Sequence, residues 1–224
     1  MSNHARFLIR ALFMLLLLNF FLVPLLFAAD APFEKEIAAF EAADKKATPP
    51  KDAVLFVGSS TIRIWTTLTE DFPKLIVINR GFGGSQIADS VRYADRIIIS
   101  YHPRRIVLYA GDNDLAAGKS PEQVLHDFAE LVDKVHAALP GVPISFISIK
   151  PSIAREKLMT QILDANRLIE SYAKTHKDVD YIDIVPVMID GNGKPRKELF
   201  RADGLHMSRK GYELWVPIIA AKIP

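Results

Sequence analysis

An open, mainly parallel α/β sheet is the fold class this sequence predicts, and three observations predict it. Five short apolar runs, several of them rich in β-branched residues, are bounded by glycine, proline or charged residues, as suits strands covered on both faces. Stretches with helical spacing alternate with these runs, the pattern of β-α units joined by right-handed crossovers. Residues 30–224 hold no internal repeat, no low-complexity tract and no linker long enough to separate two domains, so one unit is expected there.

Taken in order, a helix is expected over Phe33 to Lys46, followed by a first strand at Val54 to Val57 and a second at Leu75 to Ile78. A helix over Ile87 to Ile98 leads to a third strand, Ile106 to Ala110. The clearest helix follows, because Val124, Leu125, Phe128, Leu131, Val132, Val135 and Leu139 make one apolar stripe at steps of three and four. Ser120 is placed to cap it, Pro121 fits its first position, Gln123 completes a capping box, and Pro140 with Gly141 marks its end. Ile144 to Ile149 and Tyr181 to Val185 supply the fourth and fifth strands, with helices over Glu156 to Lys174 and Ser208 to Ala221.

Composition narrows the function classes. Of the 224 residues 50% are hydrophobic and 24% charged, which excludes a disordered or collagen-like chain and leaves room for one sizeable core. There is no cysteine, hence no disulfide framework, thiolate nucleophile or thiolate metal site. Arg6 and Arg10 are the only full charges before Asp30; the rest of the chain is balanced, so the small positive net charge gives no footing for nucleic-acid binding. Behind those two arginines runs an uncharged segment, Ala11 to Ala29, ending in small residues. Residues 1–29 therefore read as a secretory signal cleaved near Ala29, or as a retained membrane anchor that Asn19 and Pro24 weaken as a span. Either reading exports the body of the protein to the periplasm or beyond.

In open parallel sheets ligands bind outside the carboxyl ends of the strands, so the residues just after each strand carry the functional reading. Here they are Gly58-Ser59-Ser60-Thr61, then Asn79 to Ser85, then Gly111-Asp112-Asn113-Asp114, with Asp203-Gly204-Leu205-His206 before the last helix. Nucleophilic acyl transfer needs a hydroxyl, an imidazole to take its proton, a carboxylate to orient the imidazole, and donors for an oxyanion. Ser60 is the expected nucleophile, and Asp203 and His206 can present both side chains to one side of a short loop. Gly84 allows close backbone approach, and the Asn113 amide is a neutral donor whose strength does not vary with pH. With the Ser60 N–H these make a three-donor oxyanion hole.

These four blocks, in this order and spanning Phe56 to His206, resemble the SGNH (GDSL-type) esterases and lipases, a family named for its serine, glycine, asparagine and histidine. The resemblance implies a flavodoxin-like three-layer α/β/α sandwich. It also implies Ser60 as nucleophile, Gly84 and Asn113 in the oxyanion hole, Asp203 and His206 completing the triad, and no cofactor. One departure is that Ser59 replaces the aspartate of the first block, which changes loop packing and leaves Ser59 as a rival nucleophile. The expected activity is hydrolysis of short-chain, particularly acetyl, esters on small molecules or glycans through an acyl-enzyme. The alternatives are a deacetylase of cell-envelope or plant polysaccharide and a non-catalytic envelope binding protein on the same fold.

Other features have plainer readings. Gly81, Gly83 and Gly84 lack the glycine at position 86 of a dinucleotide fingerprint and the lysine of a P-loop. Asp112, Asp114 and Asp203 depart from calcium-loop spacing, so no metal is expected. His102, His126, His136 and His176 are expected away from the strand ends as structural or solvated residues. Trp65 is expected to pack beside the sheet, and Arg63 and Arg80 to be solvated cations flanking the site.

Overall fold

Five strands pair in parallel throughout, in the order β2-β1-β3-β4-β5. They are β1 (Val54–Gly58), β2 (Val77–Gly81), β3 (Arg105–Tyr109), β4 (Ile144–Ile147) and β5 (Val179–Ile182). In chain order the helices are α1 (Glu34–Lys46), α2 (Ser60–Arg63), α3 (Leu68–Asp71), α4 (Ile87–Ile97), α5 (Asp112–Ala116), α6 (Pro121–Ala138), α7 (Met159–Thr175), α8 (Val185–Met188) and α9 (Arg209–Ala220). The computed structural model describes residues 31–223. The segment read as a signal or anchor, 1–29, lies outside the described residues. Among those described, no helix is long and apolar enough to cross a membrane.

Two cores sit on the two faces of the sheet, as side-chain alternation along a strand requires. Leu55 and Val57 of β1, Ile106 and Leu108 of β3, and Ile144 and Phe146 of β4 pack with Ile87, Phe128, Val135, Ile162 and Ile169 from α4, α6 and α7. Their neighbours Val54, Phe56, Val107, Tyr109 and Ile147 face the other way, onto Trp65, Leu68, Met188, Trp215 and Ile219. The result is a flavodoxin-like three-layer sandwich. Its strand order reverses between β1 and β3, the switch point where such sheets open a crevice.

The helix over residues 121–138 has the capping box expected of Ser120 and Gln123, with each side chain bonded to the other's backbone N–H. The edge strands differ from the sequence reading. Leu75 and Ile76 precede β2, which runs instead through Asn79 and Arg80 to Gly81, because pairing with β1 aligns Val77 with Val54 and Gly81 with Gly58. An edge strand is covered on fewer sides, so polar residues fit within it and the apolar run is a poor guide to its limits. β5 likewise ends at Ile182: Ser148 Oγ accepts the Ile184 N–H and Asp183 Oδ1 accepts that of Val185, turning the chain into α8. On the other side of the sheet, 3₁₀ geometry over Ile153–Leu158 delays the start of α7 to Met159.

Candidate active site

The crevice is built from the loops that follow β1, β2, β3 and β4, together with the loop before α9. Gly58 ends β1 at φ +129°, and a Cβ there would lie 1.9 Å from the Tyr109 carbonyl oxygen, so only glycine lets β1 run this close to β3. The chain then turns into α2, whose first residue is Ser60. Ser59 N–H donates to Tyr109 O at 3.0 Å, and its side chain is fully buried with an unpaired hydroxyl. Ser60 is half-buried and faces the loop before α9.

That loop is held as a closed turn. Arg201 N–H donates to His206 O, Gly204 N–H donates to Arg201 O, and Phe200 bridges Met207. Ser208 then caps α9 by accepting the Gly211 N–H and donates its hydroxyl to Glu198 O. Within the turn, His206 Nδ1 lies 2.7 Å from Asp203 Oδ2 and His206 Nε2 lies 3.0 Å from Ser60 Oγ. Residues 146 positions apart thus meet within hydrogen-bond distance.

Asp203 also accepts the N–H groups of Leu205 and His206 on its other oxygen, each at 2.9 Å. The His206 hydrogen bond first, and these two amides next, hold the Asp203 carboxyl down at about 2, against a small opposing cost of burial. Its side chain is nevertheless 48% exposed and that of His206 29%, so the pair lies at an open mouth.

The two remaining candidates lie on neighbouring segments that are bonded to each other. Gly84 has φ +82°, is exposed, and has open space where a Cβ would project. Asn113 Nδ2 donates to Ser85 O at 3.1 Å, which ties the α5 residue to the Gly84–Ser85 loop and leaves a second amide hydrogen available. Asp114 reinforces the joint: it is buried, accepts the Ile87 N–H that opens α4, and pairs with Lys119. Asn79, the first residue of the second polar block, bonds both Ile62 O and Gly81 N–H and so braces the glycine loop against α2.

Sequence reading missed a buried network around Asp112, at the start of α5. Lys150 is 1% exposed and its ammonium donates to Asp112 Oδ2 at 2.8 Å and to the Tyr109 hydroxyl at 2.9 Å. Burial alone would raise the Asp112 carboxyl, but the Lys150 charge and hydrogen bond more than offset it and hold Asp112 below the usual carboxylate range. In the sequence Lys150 merely follows an apolar run, where a lysine reads as a solvated strand end. The three aspartates weighed as cation ligands thus have separate partners: Lys150 for Asp112, Lys119 for Asp114 and His206 for Asp203.

The plainer expectations are met at Trp65, which is buried, stacks on Tyr212 and donates to Asp71. His136 bonds Val142 O, His176 stacks on Tyr172, and His102 and His126 are exposed. Arg80 corrects its reading. It is not solvated beside the site but paired with Asp44, bonded to the Tyr101 hydroxyl and set over the Phe40 ring. Arg63 is exposed as expected and lies across the glycine loop, since a Cβ on Gly83 would fall 2.7 Å from its Nε. A separate concavity lined by Glu41, Asp44, Pro50, Arg96 and His102 opens at the other edge of the sheet and holds none of the paired serine, histidine and aspartate groups.

Residues 57–214 match the family model described as GDSL-like Lipase/Acylhydrolase family. No curated protein matches the sequence at a significant level. Among solved structures, the chain is similar to a protein from Streptococcus pneumonia provisionally described as a platelet activating factor, with TM-score 0.76 and 21% identity over 96% of this chain and 99% of that one. It is also similar to a GDSL-like lipase from Bacteroides thetaiotaomicron, with TM-score 0.73 and 21% identity over 84% and 96% of the two chains. A family 3 carbohydrate esterase from Clostridium thermocellum aligns with TM-score 0.63 and 17% identity over 77% and 94%.

Proposed function

Because the chain belongs to the GDSL-like lipase/acylhydrolase family, we propose that it is a serine esterase that releases short acyl groups, acetyl foremost, through a covalent acyl-enzyme. The observation that carries this reading is the contact series Ser60 Oγ to His206 Nε2, and His206 Nδ1 to Asp203 Oδ2. In it His206 takes the Ser60 proton as Oγ attacks the ester carbonyl, and Asp203 stabilises the imidazolium that forms. His206 then passes the proton to the departing alcohol, and water, activated in the same way, releases the acid. The negative oxygen of each tetrahedral intermediate is received by the N–H groups of Ser60 and Gly84 and by the Asn113 amide. On the reading of residues 1–29 as an export signal or anchor, the substrate is met in the periplasm or outside the cell.

Asn113→Ala is expected to lower kcat by about a hundred- to a thousandfold with KM little changed, since this donor is used most when charge sits on the oxygen. Steady-state hydrolysis of a nitrophenyl ester measures it, and a kcat within a few fold of wild type would remove Asn113 from the oxyanion hole.

The acyl preference rests on the open mouth formed by Asp203, Gly84 and the half-buried Ser60. Across a chain-length series of nitrophenyl esters, kcat/KM is expected to be highest at acetyl and to decline with length. Fastest turnover of long chains would overturn the short-acyl assignment. The same openness favours a second reading, deacetylation of a polysaccharide, for which acetate release from acetylated glycans is the measurement.

A further inference from the structure

A cation beside this crevice has a buried nitrogen with no hydrogen-bond partner. Arg155 lies in the 3₁₀ turn Ile153–Leu158, which is fastened to the His206 loop by the Ala154 N–H bond to Gly204 O at 3.0 Å and by Ile153 packed against Gly204. The same turn packs on α5, the element that carries Asn113. Arg155 is half-buried and its Nε is buried without a hydrogen-bond partner. Ser152, whose carbonyl accepts the Arg155 N–H, is 1% exposed and its hydroxyl is likewise unpaired.

No acid in the neighbourhood accepts a hydrogen bond from the Arg155 Nε. Asp112 feels the Arg155 charge but gives one oxygen to Lys150, and its other oxygen is unpaired. Asp203 serves His206 and two backbone amides, and Glu156 pairs with Lys194. Asp112 therefore meets Lys150 directly and Arg155 only through space, which leaves the Arg155 Nε without an acceptor at a partly desolvated position. Leaving a guanidinium there without an acceptor is unfavourable unless one arrives with the ligand.

From this placement we infer that the alcohol released from the substrate carries an anionic group such as a carboxylate, and that Arg155 receives it. The side of the site follows from the chemistry of the proposed esterase, on which the inference rests. The leaving oxygen faces His206 Nε2 to collect its proton, so the alcohol lies toward the loop to which the Arg155 turn is bonded. Arg155 is then a specificity determinant. A planar, permanently charged guanidinium is the side chain best matched to a carboxylate.

The test compares acetyl esters that differ in one charge, 3- and 4-acetoxybenzoate against 3- and 4-acetoxybenzamide, at low ionic strength. Wild type is expected to prefer at least one benzoate over its amide by about ten- to a hundredfold in kcat/KM, mostly through KM. Arg155→Gln should abolish that preference while leaving turnover of the amides within about twofold of wild type. Arg155→Lys should restore part of the preference. Absence of a preference in wild type, its persistence in Arg155→Gln, or an equal loss on benzoates and amides would each overturn the inference. Failure of the esterase reading looks different: the amide esters would then be turned over no faster by wild type than by Ser60→Ala.

Discussion

Ser60→Ala is expected to lower kcat for a nitrophenyl acetate by a factor of about 10⁴–10⁶, with circular dichroism and thermal unfolding close to those of wild type. The size follows from the loss of the only hydroxyl within 3.0 Å of the His206 imidazole among the described residues. Ser59 cannot take over. It is fully buried, its N–H is spent on Tyr109 O, and its hydroxyl has no partner. Ser59→Ala should therefore leave kcat within a few fold of wild type, and removal of an unsatisfied buried hydroxyl should cost little stability. Residual activity above a thousandth of wild type in Ser60→Ala would contradict the assignment.

Asp203→Asn is expected to cost about 10³–10⁴ in kcat. An amide in place of the carboxylate offers an N–H where His206 Nδ1–H needs an acceptor, favouring the tautomer with its proton on Nε2, toward Ser60. The acid limb of the pH profile carries a second, sign-specific expectation. The folded-state carboxyl sits at about 2, below its unfolded value, so its charge and any stability it contributes are present at higher pH and are lost only as pH falls through about 2. Activity lost on acidification well above that value therefore does not come from Asp203, and kcat/KM should fall there with unit slope as pH decreases. A slope of two, with both protons taken up above pH 4, would show that the carboxylate is not held as described.

Much of this architecture is legible in the sequence because the central strands are covered on both faces. Residues 54–58 and 105–109 are almost continuously buried, so their apolar runs stand out. The limits of β2 are not legible because an edge strand accommodates Asn79 and Arg80, nor are those of β5, which side-chain bonds from Ser148 and Asp183, invisible to periodicity, bring to an end. At the site, the meeting of Ser60, His206 and Asp203 is legible because each lies in a short polar block after a strand or before a helix, and Gly84 and Asn113 are proposed on the same ground. The roles of Lys150, Asn79 and Arg155 are not legible in this way. Their importance lies in what they touch or fail to touch across the fold: Asp112 and Tyr109 for Lys150, Ile62 and Gly81 for Asn79, and no acceptor for the Arg155 Nε. A lone arginine in a sequence says nothing about its missing partner.

The most direct test of the central claim is covalent labelling of the protein with a fluorophosphonate, followed by mass mapping of the modified peptide. One adduct is expected, on Ser60, retained in Ser59→Ala and lost in Ser60→Ala. An adduct on Ser59, or labelling that survives Ser60→Ala, would contradict it.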